Sequence, residues 1–451
     1  MENKTTDILE FLEVTPTGEQ IVALQKIKEF SSEENKDDFI ILQGSAGTGK
    51  STIIKAITNY LTEMDTEHYL SAPTARAAKV MQSKSRVIAK TIHSLIYKPE
   101  PLKKGAGVRF NLKNNNNTEF SIYIIDESSM ISDTLNNSEN YISSAPLLTD
   151  LLAYVKDGNP KNKVIFIGDH YQLPPVNSYH SPALSKHYLI DNKEINGDLL
   201  ELNQVMRQTQ GSYVMNNAEK LRDAIKRGIQ QPVLSFRMLN SSTQALNTLC
   251  EKYDRDNINK TTLIAWTNRD VNWFNNKYRE VMGLSGKPLN IGENIMLNNN
   301  IMTSKGYVMN GEIVKINELD PSIERFEEIQ FQNASIEFID GEGEKVQATT
   351  KIMLDTLHTH NGELPNQKTN QLIHTRYKLN KDFRESQNPM DDIYVGALRP
   401  RYAYAITCHK AQGGEWENVI LHPYRPKDDL RWLYTANTRA SKEIYSYRTY
   451  N

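Results

Sequence analysis

The sequence predicts an α/β protein of two parallel-sheet lobes, with a β-hairpin inserted in the first and a small all-β insertion in the second. Three observations carry that prediction. Apolar strand candidates at 39–42, 69–71, 122–125 and 164–167 alternate with helix-like stretches up to about residue 198, the texture of strands buried on both faces of a parallel sheet. The alternation resumes from about 199, with further runs at 262–266 and 419–421. Between those, from about 311 to 394, short apolar runs (312–316, 334–338, 346–348, 352–354) are broken by Gly, Asp and Asn, which reads as antiparallel strands and turns.

Taken in order, residues 1–36 read as a helical lead-in, with Ile21, Leu24 and Ile27 at helical spacing. The run at 39–42 is followed by Gly44-Ser45-Ala46-Gly47-Thr48-Gly49-Lys50-Ser51 and then by a helix-periodic stretch, 52–61, beginning at Thr52. This is the G-x-x-x-x-G-K-[ST] loop between strand and helix. Its glycines let backbone N–H groups turn toward phosphate oxygens at a positive helix end. Lys50 is placed for the β/γ-phosphates and Ser51 for Mg²⁺. Residues 97–120 hold Pro99, Pro101, Gly105 and Gly107, then the alternating Val108-Arg109-Phe110-Asn111-Leu112 and four asparagines. They read as an inserted hairpin or as a long surface loop. The expected domains are 1–96 with 121–198, the hairpin 97–120, 199–311 with 395–451, and the β-rich insertion 312–394.

Composition narrows the class. The 451 residues are 38% hydrophobic and 24% charged, and no apolar run reaches the ~18 residues of a membrane span. The first seven residues lack a basic-then-apolar leader, and two distant cysteines, Cys250 and Cys408, argue against disulfide or zinc frameworks. A cytoplasmic location is expected. A net charge of −2 confines any nucleic-acid binding to a local groove.

Other motifs leave two readings each. The run at 122–125 ends in Asp126-Glu127: a Mg²⁺-holding Asp with a general-base Glu, or a strand entering an acidic turn. The run at 164–167 ends in Gly168-Asp169 and reaches Gln172, a γ-phosphate sensor or a turn glutamine. Arg207 and Arg439 are candidate arginine fingers or surface ion-pair partners. Thr407-Cys408-His409-Lys410-Ala411-Gln412-Gly413-Gly414 packs polar groups ahead of two glycines, as for closing on an anion. A Cys408/His409 nucleophilic pair is disfavoured, because adjacent side chains rarely face each other.

Together these motifs resemble the superfamily 1 helicases, in the RecD-like, 5′-to-3′ branch that includes the phage Dda-like enzymes. Thr17-Gly18-Glu19-Gln20 is similar to the Q motif, which implies that Gln20 reads adenine. Ala72-Pro73-Thr74 and Thr91-Ile92-His93 resemble motifs Ia and Ib, implying DNA contact by Pro73, Thr74, Thr91 and His93. Asp126-Glu127 corresponds to motif II and Gly168 through Pro175 to motif III, with Gln172 as sensor. Thr267 and Asn268 match a DNA-facing strand end of the second lobe. Thr407 through Trp416 resembles motif V, with Thr407 and His409 toward DNA and Glu415 toward the ribose. The segments around Arg207 and Arg439 match the two finger motifs. Met206 stands where relatives often carry an adenine-stacking aromatic.

The resemblance implies two RecA-like lobes, ATP and Mg²⁺ as cofactors, and hydrolysis coupled to movement along single-stranded DNA. It makes the hairpin a strand-splitting pin with Phe110 as its candidate aromatic in contact with DNA, and the insertion SH3-like. It implies fork DNA as a further partner, beside a single-strand-binding or replication protein, for a monomer with no membrane role, in a host's cytoplasm for phage-like members. Rival readings are a protein-stripping translocase, a DNA-independent nucleotide switch or kinase, and an idle nucleic-acid binding module.

Overall fold

Apolar runs with no polar interruption must be covered on both faces, and the core of the first unit is made that way. The computed structural model describes residues 6–101, 108–135, 141–205, 212–339, 344–386, 388–425 and 429–448. Contacts divide the chain into two units, Met1–Pro99 with Phe110–Gln210, and Glu100–Arg109 with Gly211–Asn451.

The first unit carries a six-stranded sheet. Its strands are β1 (Phe39–Gly44), β2 (Glu67–Ala72), β3 (Ala89–Thr91), β6 (Ser121–Ile125), β8 (Lys163–Gly168) and β9 (Gly197–Leu202), in the order β3-β2-β6-β8-β1-β9 with every pairing parallel. Alternation along each strand builds two cores. Ile40, Leu42, Ile122, Ile124, Ile165 and Ile167 pack with helices α1 (Gly18–Phe30) and α2 (Lys50–Glu63). Phe39, Ile41, Tyr123, Ile125, Val164 and Phe166 pack on the other face with α4 (Ile92–Ile96) and α5 (Leu147–Gly158). Helices α3 (Ala75–Ser85) and α6 (Lys186–Lys193) complete the cover. A separate three-stranded sheet joins β4 (Tyr97–Pro101), β5 (Val108–Leu112) and β7 (Tyr141–Ser143) in that order. The segment 97–120 is therefore a strand pair with a third strand that the sequence did not announce.

The expected boundary at 198/199 falls inside β9. Asp198 through Leu202 register against Ile40 through Gly44, so the first sheet ends four residues later than the alternation suggested. The join is tight: a Cβ on Gly197 would lie 2.1 Å from the Phe39 carbonyl oxygen and 2.7 Å from its ring. Gly197→Ala should therefore push β9 off β1 and destabilise the protein by about 1–3 kcal/mol. An urea titration with an unchanged midpoint would refute that packing.

The second unit holds a five-stranded sheet, β10 (Arg237–Leu239), β11 (Thr261–Ala265), β20 (Ala405–Thr407), β21 (Trp416–Leu421) and β22 (Ala440–Tyr447), ordered β10-β22-β21-β11-β20 and again parallel throughout. Helices α7 (Tyr213–Arg227), α8 (Ser242–Lys252), α9 (Asn268–Val281), α12 (Cys408–Ala411) and α13 (Leu430–Asn437) belong to it.

The inserted element is an antiparallel sheet of β12 (Asn294–Leu297), β15 (Ile313–Leu319), β16 (Glu324–Phe326), β17 (Ile329–Ile339), β18 (Lys345–Met353) and β19 (Pro400–Tyr402). A small hairpin of β13 (Ile301–Thr303) and β14 (Gly306–Val308) lies beside it. The expected limits, 312–394, are too narrow, because β12 and β19 pair with each other at the two ends of the insertion. Nor is it all β: α10 (Asn366–Leu379) and α11 (Lys381–Ser386) cover one end through Leu372 and Phe383. A buried network joins this sheet to α9. Arg279 pairs with Glu293 (Nε–Oε1 2.8 Å), and the Tyr404 hydroxyl donates to the same carboxylate at 2.7 Å.

Candidate nucleotide site and nucleic-acid face

Polar chemistry in the first unit gathers where β1, β6 and β8 end, the edge of a parallel sheet that collects ligands. After β1 the chain turns through Gly47 (φ 84°) and Gly49 (φ 85°), left-handed conformations that suit glycine, and α2 starts at Lys50. Gly44 admits no side chain, since a Cβ there would meet Thr48 Oγ1 at 2.6 Å. The loop is braced from within by Thr48 Oγ1, which donates to the Ser45 carbonyl at 2.9 Å. Lys50 Nζ donates to the carbonyls of Gly44 (2.6 Å) and Ser45 (3.1 Å), so its charge stays over the cradle. Ser51 and Thr52 open α2, with Ala46 in the loop ahead of them.

Gln20 is placed otherwise than a free adenine reader. Its Oε1 accepts from the Thr17 N–H (3.0 Å), closing the cap of α1, and its Nε2 donates to the Thr48 carbonyl at 3.0 Å. Buried to 1% exposure, its amide clasps the phosphate loop to α1.

Asp126 and Glu127 leave the end of β6. The Asp126 Oδ1 accepts from the Glu127 N–H at 2.8 Å. Glu127 takes a left-handed backbone, φ 49°, the kind of local strain that collects at functional sites. Burial and the neighbouring Glu127 charge hold the Asp126 carboxyl above the usual carboxylate range, against the Lys50 and Lys84 cations. A carboxylate so placed favours an added cation. Lys84 was not foreseen: it lies at the end of α3 with Nζ 3.4 Å from Ser51 Oγ. Gln172 lies just past β8, 3% exposed, and its Oε1 has no hydrogen-bond donor. A buried amide oxygen without a partner fits a water or hydroxyl donor at that spot.

These features fit a nucleoside triphosphate with Mg²⁺. The loop supplies N–H groups and a lysine, and Ser51 and Asp126 supply oxygen donors. No cluster of three His, Cys, Asp or Glu side chains gathers among the described residues. A Mg²⁺ held here would complete its shell from phosphate and water oxygens, as that ion commonly does.

The threonines expected to face DNA share one structural role. Thr74 follows β2 and caps α3, its Oγ1 accepting from the Ala77 N–H at 3.2 Å, with Pro73 before it. Thr91 ends β3 and caps α4 through the Ser94 N–H at 3.1 Å. In the second unit Thr267 follows β11 and caps α9, accepting from the Asp270 N–H at 3.1 Å, and Thr407 ends β20 and caps α12. Each stands where a parallel strand hands over to a helix, with free N–H groups of the first turn beside it.

His93 follows Thr91, and burial pushes its imidazole down to about 4, so it is neutral at pH 7. Phe110 is the candidate pin aromatic. It sits half-buried in β5, edge-on to His93 (5.8 Å) and Tyr97 (5.6 Å), because alternation turns it toward the apolar face of the first unit. In the second unit Asn268 begins α9 and accepts from Arg401 NH2 at 3.0 Å. His409 and Glu415 are exposed. Arg439 is 5% exposed, its guanidinium donating to the carbonyls of Thr435 (3.1 Å) and Gly414 (3.2 Å). Arg207 lies outside the described residues. No helix among the described residues is long and apolar enough to cross a membrane.

Comparison with known proteins agrees with this layout. The AAA domain family matches residues 19–233 and the UvrD-like helicase C-terminal domain family matches 402–446. The ATP-dependent RecD2 DNA helicase of Deinococcus radiodurans is 33% identical over 140 residues, 31% of this chain and 16% of that one. The RecBCD enzyme subunit RecD of Buchnera aphidicola is 25% identical over 479 residues, 92% of this chain and 71% of that one. The solved Pif1 helicase of Candida albicans shares the fold at a TM-score of 0.51 and 15% identity, covering 97% of this chain and 95% of that chain. The first curated relatives are much longer, for the chain spans 36% and 16% of their lengths. Motif order, the two parallel sheets and these matches agree in likening the chain to the RecD-like superfamily 1 helicases.

Proposed function

We propose that the protein is an ATP-dependent DNA helicase that moves 5′ to 3′ along single-stranded DNA. The observation that carries the reading is a shared edge. One sheet ends in the phosphate loop, Asp126 and Gln172 at β1, β6 and β8, and in the capping residues Thr74 and Thr91 at β2 and β3. A change at the nucleotide side of that edge is passed to the thread side through adjacent hydrogen-bonded strands. Lys50 and the loop N–H groups bind the β- and γ-phosphates, and Glu127 takes the proton of the attacking water. Gln172 orients that water, and Arg207 and Arg439 meet the charge that develops on the phosphoryl group. Mg²⁺ bound to Ser51 and Asp126 would neutralise phosphate charge. Gln20 holds the loop in register instead of selecting the base. Phe110 stiffens the root of the hairpin, and single-stranded and fork DNA are the partners.

The test is hydrolysis measured with and without single-stranded DNA, then unwinding of forks carrying only a 5′ or only a 3′ tail. DNA-stimulated hydrolysis and preference for the 5′ tail are expected. Hydrolysis indifferent to DNA would instead fit a nucleotide switch, and hydrolysis without unwinding would fit a protein-stripping translocase. Phe110→Ala should lower fork unwinding more than DNA-stimulated hydrolysis, and equal losses in both assays would count against the hairpin role.

A further inference from the structure

Three cations of the second unit lie together without matching anions. Arg401 stands in β19, Arg399 lies just ahead of that strand, and Lys410 lies in α12. Arg401, Lys410, Asn268 and Thr407 line one cleft. Arg401 NH2 donates to the Oδ1 of Asn268 (3.0 Å) and of Asn272 (3.5 Å) and to the His360 carbonyl (3.4 Å). With its oxygen engaged, Asn268 keeps its amide N–H₂ as a donor. Lys410 Nζ meets the Asn310 side-chain oxygen at 3.1 Å. The Arg399 Nε is buried with no acceptor. Neutral amides and carbonyls thus receive these cations. Burial lowers the proton affinity of all three, and Lys410 is further lowered by Arg401.

One carboxylate opposes this. Glu363 favours the charged form of Arg399, Arg401 and Lys410 alike, while its own side chain is exposed and accepts from Asn361 at 3.3 Å. It is carried by a short segment after β18 that is pinned over Arg401. Asn272 donates to the His360 carbonyl (3.2 Å) and Asn298 to the Gly362 carbonyl (3.3 Å). Gly362, at φ 78°, lies so close to Arg401 that a Cβ would be 2.6 Å from its Cδ.

We propose that Arg401 and Lys410, with Asn268 and Thr407, seat one phosphodiester of single-stranded DNA, and that Glu363 is the internal anion this phosphate displaces. The proposal rests on the helicase reading. A phosphodiester suits the seat because it brings one negative charge and several acceptor oxygens to a planar guanidinium, an ammonium and an amide. It carries no base identity, as a moving grip requires. The inserted sheet then tunes the hold of the second unit on the strand, through an acid on its trailing segment.

The test is binding of a short fluorescein-labelled oligothymidylate, followed by anisotropy over a series of NaCl concentrations. Arg401→Gln and Lys410→Gln should each weaken binding roughly tenfold and reduce the log–log salt slope by about 0.7. Glu363→Gln should act oppositely, tightening binding about two- to fivefold with the slope undiminished, a gain that misfolding cannot mimic. Circular dichroism verifies the fold of each variant. Folded Arg401→Gln and Lys410→Gln proteins with the wild-type slope would overturn the seat, as would a Glu363→Gln protein that binds no better than wild type. A wild-type protein with no affinity for the oligonucleotide would overturn the helicase reading itself, and the seat with it.

Discussion

Lys50→Ala should reduce ATP hydrolysis by roughly 10²- to 10³-fold or more, the scale seen when one preorganised donor to developing charge is removed. The side chain has little structural work to explain such a loss otherwise. It is part-buried and bonds two carbonyls of its own loop, Gly44 and Ser45, which water or a neighbouring N–H can satisfy. Its larger effect is electrostatic: it is one of two cations opposing the upward pull of burial and Glu127 on the Asp126 carboxyl. Removing it weakens phosphate binding and makes Asp126 easier to protonate. Steady-state hydrolysis in the presence of single-stranded DNA is the measurement, with DNA binding in the absence of nucleotide as the control for a folded protein. A variant retaining a tenth or more of the wild-type rate would refute the assignment of this loop as the site of hydrolysis.

Arg439→Ala should cost roughly 10³-fold or more in kcat, the contribution of an arginine finger. The proposed finger role and the bracing seen in the structure are what the experiment must separate. In the second unit its guanidinium ties Thr435 of α13 to Gly414, ahead of β21; losing those bonds leaves the Gly414 carbonyl short of this donor at about 1–3 kcal/mol, while the Thr435 carbonyl keeps the Thr438 hydroxyl. A finger acts on turnover, a brace acts on unfolding. Arg439→Lys keeps a charge and loses the fork of donors. It should lose most of kcat while the thermal midpoint falls less than in Arg439→Ala. If the midpoint collapses in both variants and kcat per folded molecule survives, Arg439 is a brace alone.

What could be read from the sequence follows from how local each signal is. The phosphate loop and the three unbroken apolar strands, β1, β6 and β8, were legible because backbone turns toward phosphate demand glycine, and burial on both faces demands an unbroken apolar run. β3 and β9 were not. They flank the sheet, are short or half-polar, and β9 reads Gly-Asp-Leu-Leu-Glu-Leu, so the first unit was ended inside its own last strand. The insertion was visible as a change of texture, but its first and last strands, β12 and β19, meet only through long-range pairing. α10 hides because it buries only Leu372 among its described residues. The side-chain roles were harder still. Gln20 was expected at adenine by likeness of motif, whereas its amide grips Thr48 across 28 residues of chain. The packing of Phe110 was not legible either, since only the fold brings His93 and Tyr97 beside its ring. Arg401 escaped notice because its partner Asn268 is 133 residues distant.

The capping threonines bear on how a travelling protein lets go. Thr74, Thr91, Thr267 and Thr407 each spend their hydroxyl on a backbone amide of the helix they begin, so any pull on a phosphate there comes from the remaining first-turn N–H groups. Attraction to a partial charge of about half a unit fades within roughly one turn of the helix. A phosphate leaving one of these helix ends abandons only a shallow well, so the firmer hold on the strand falls to charged groups such as the proposed Arg401 and Lys410 seat.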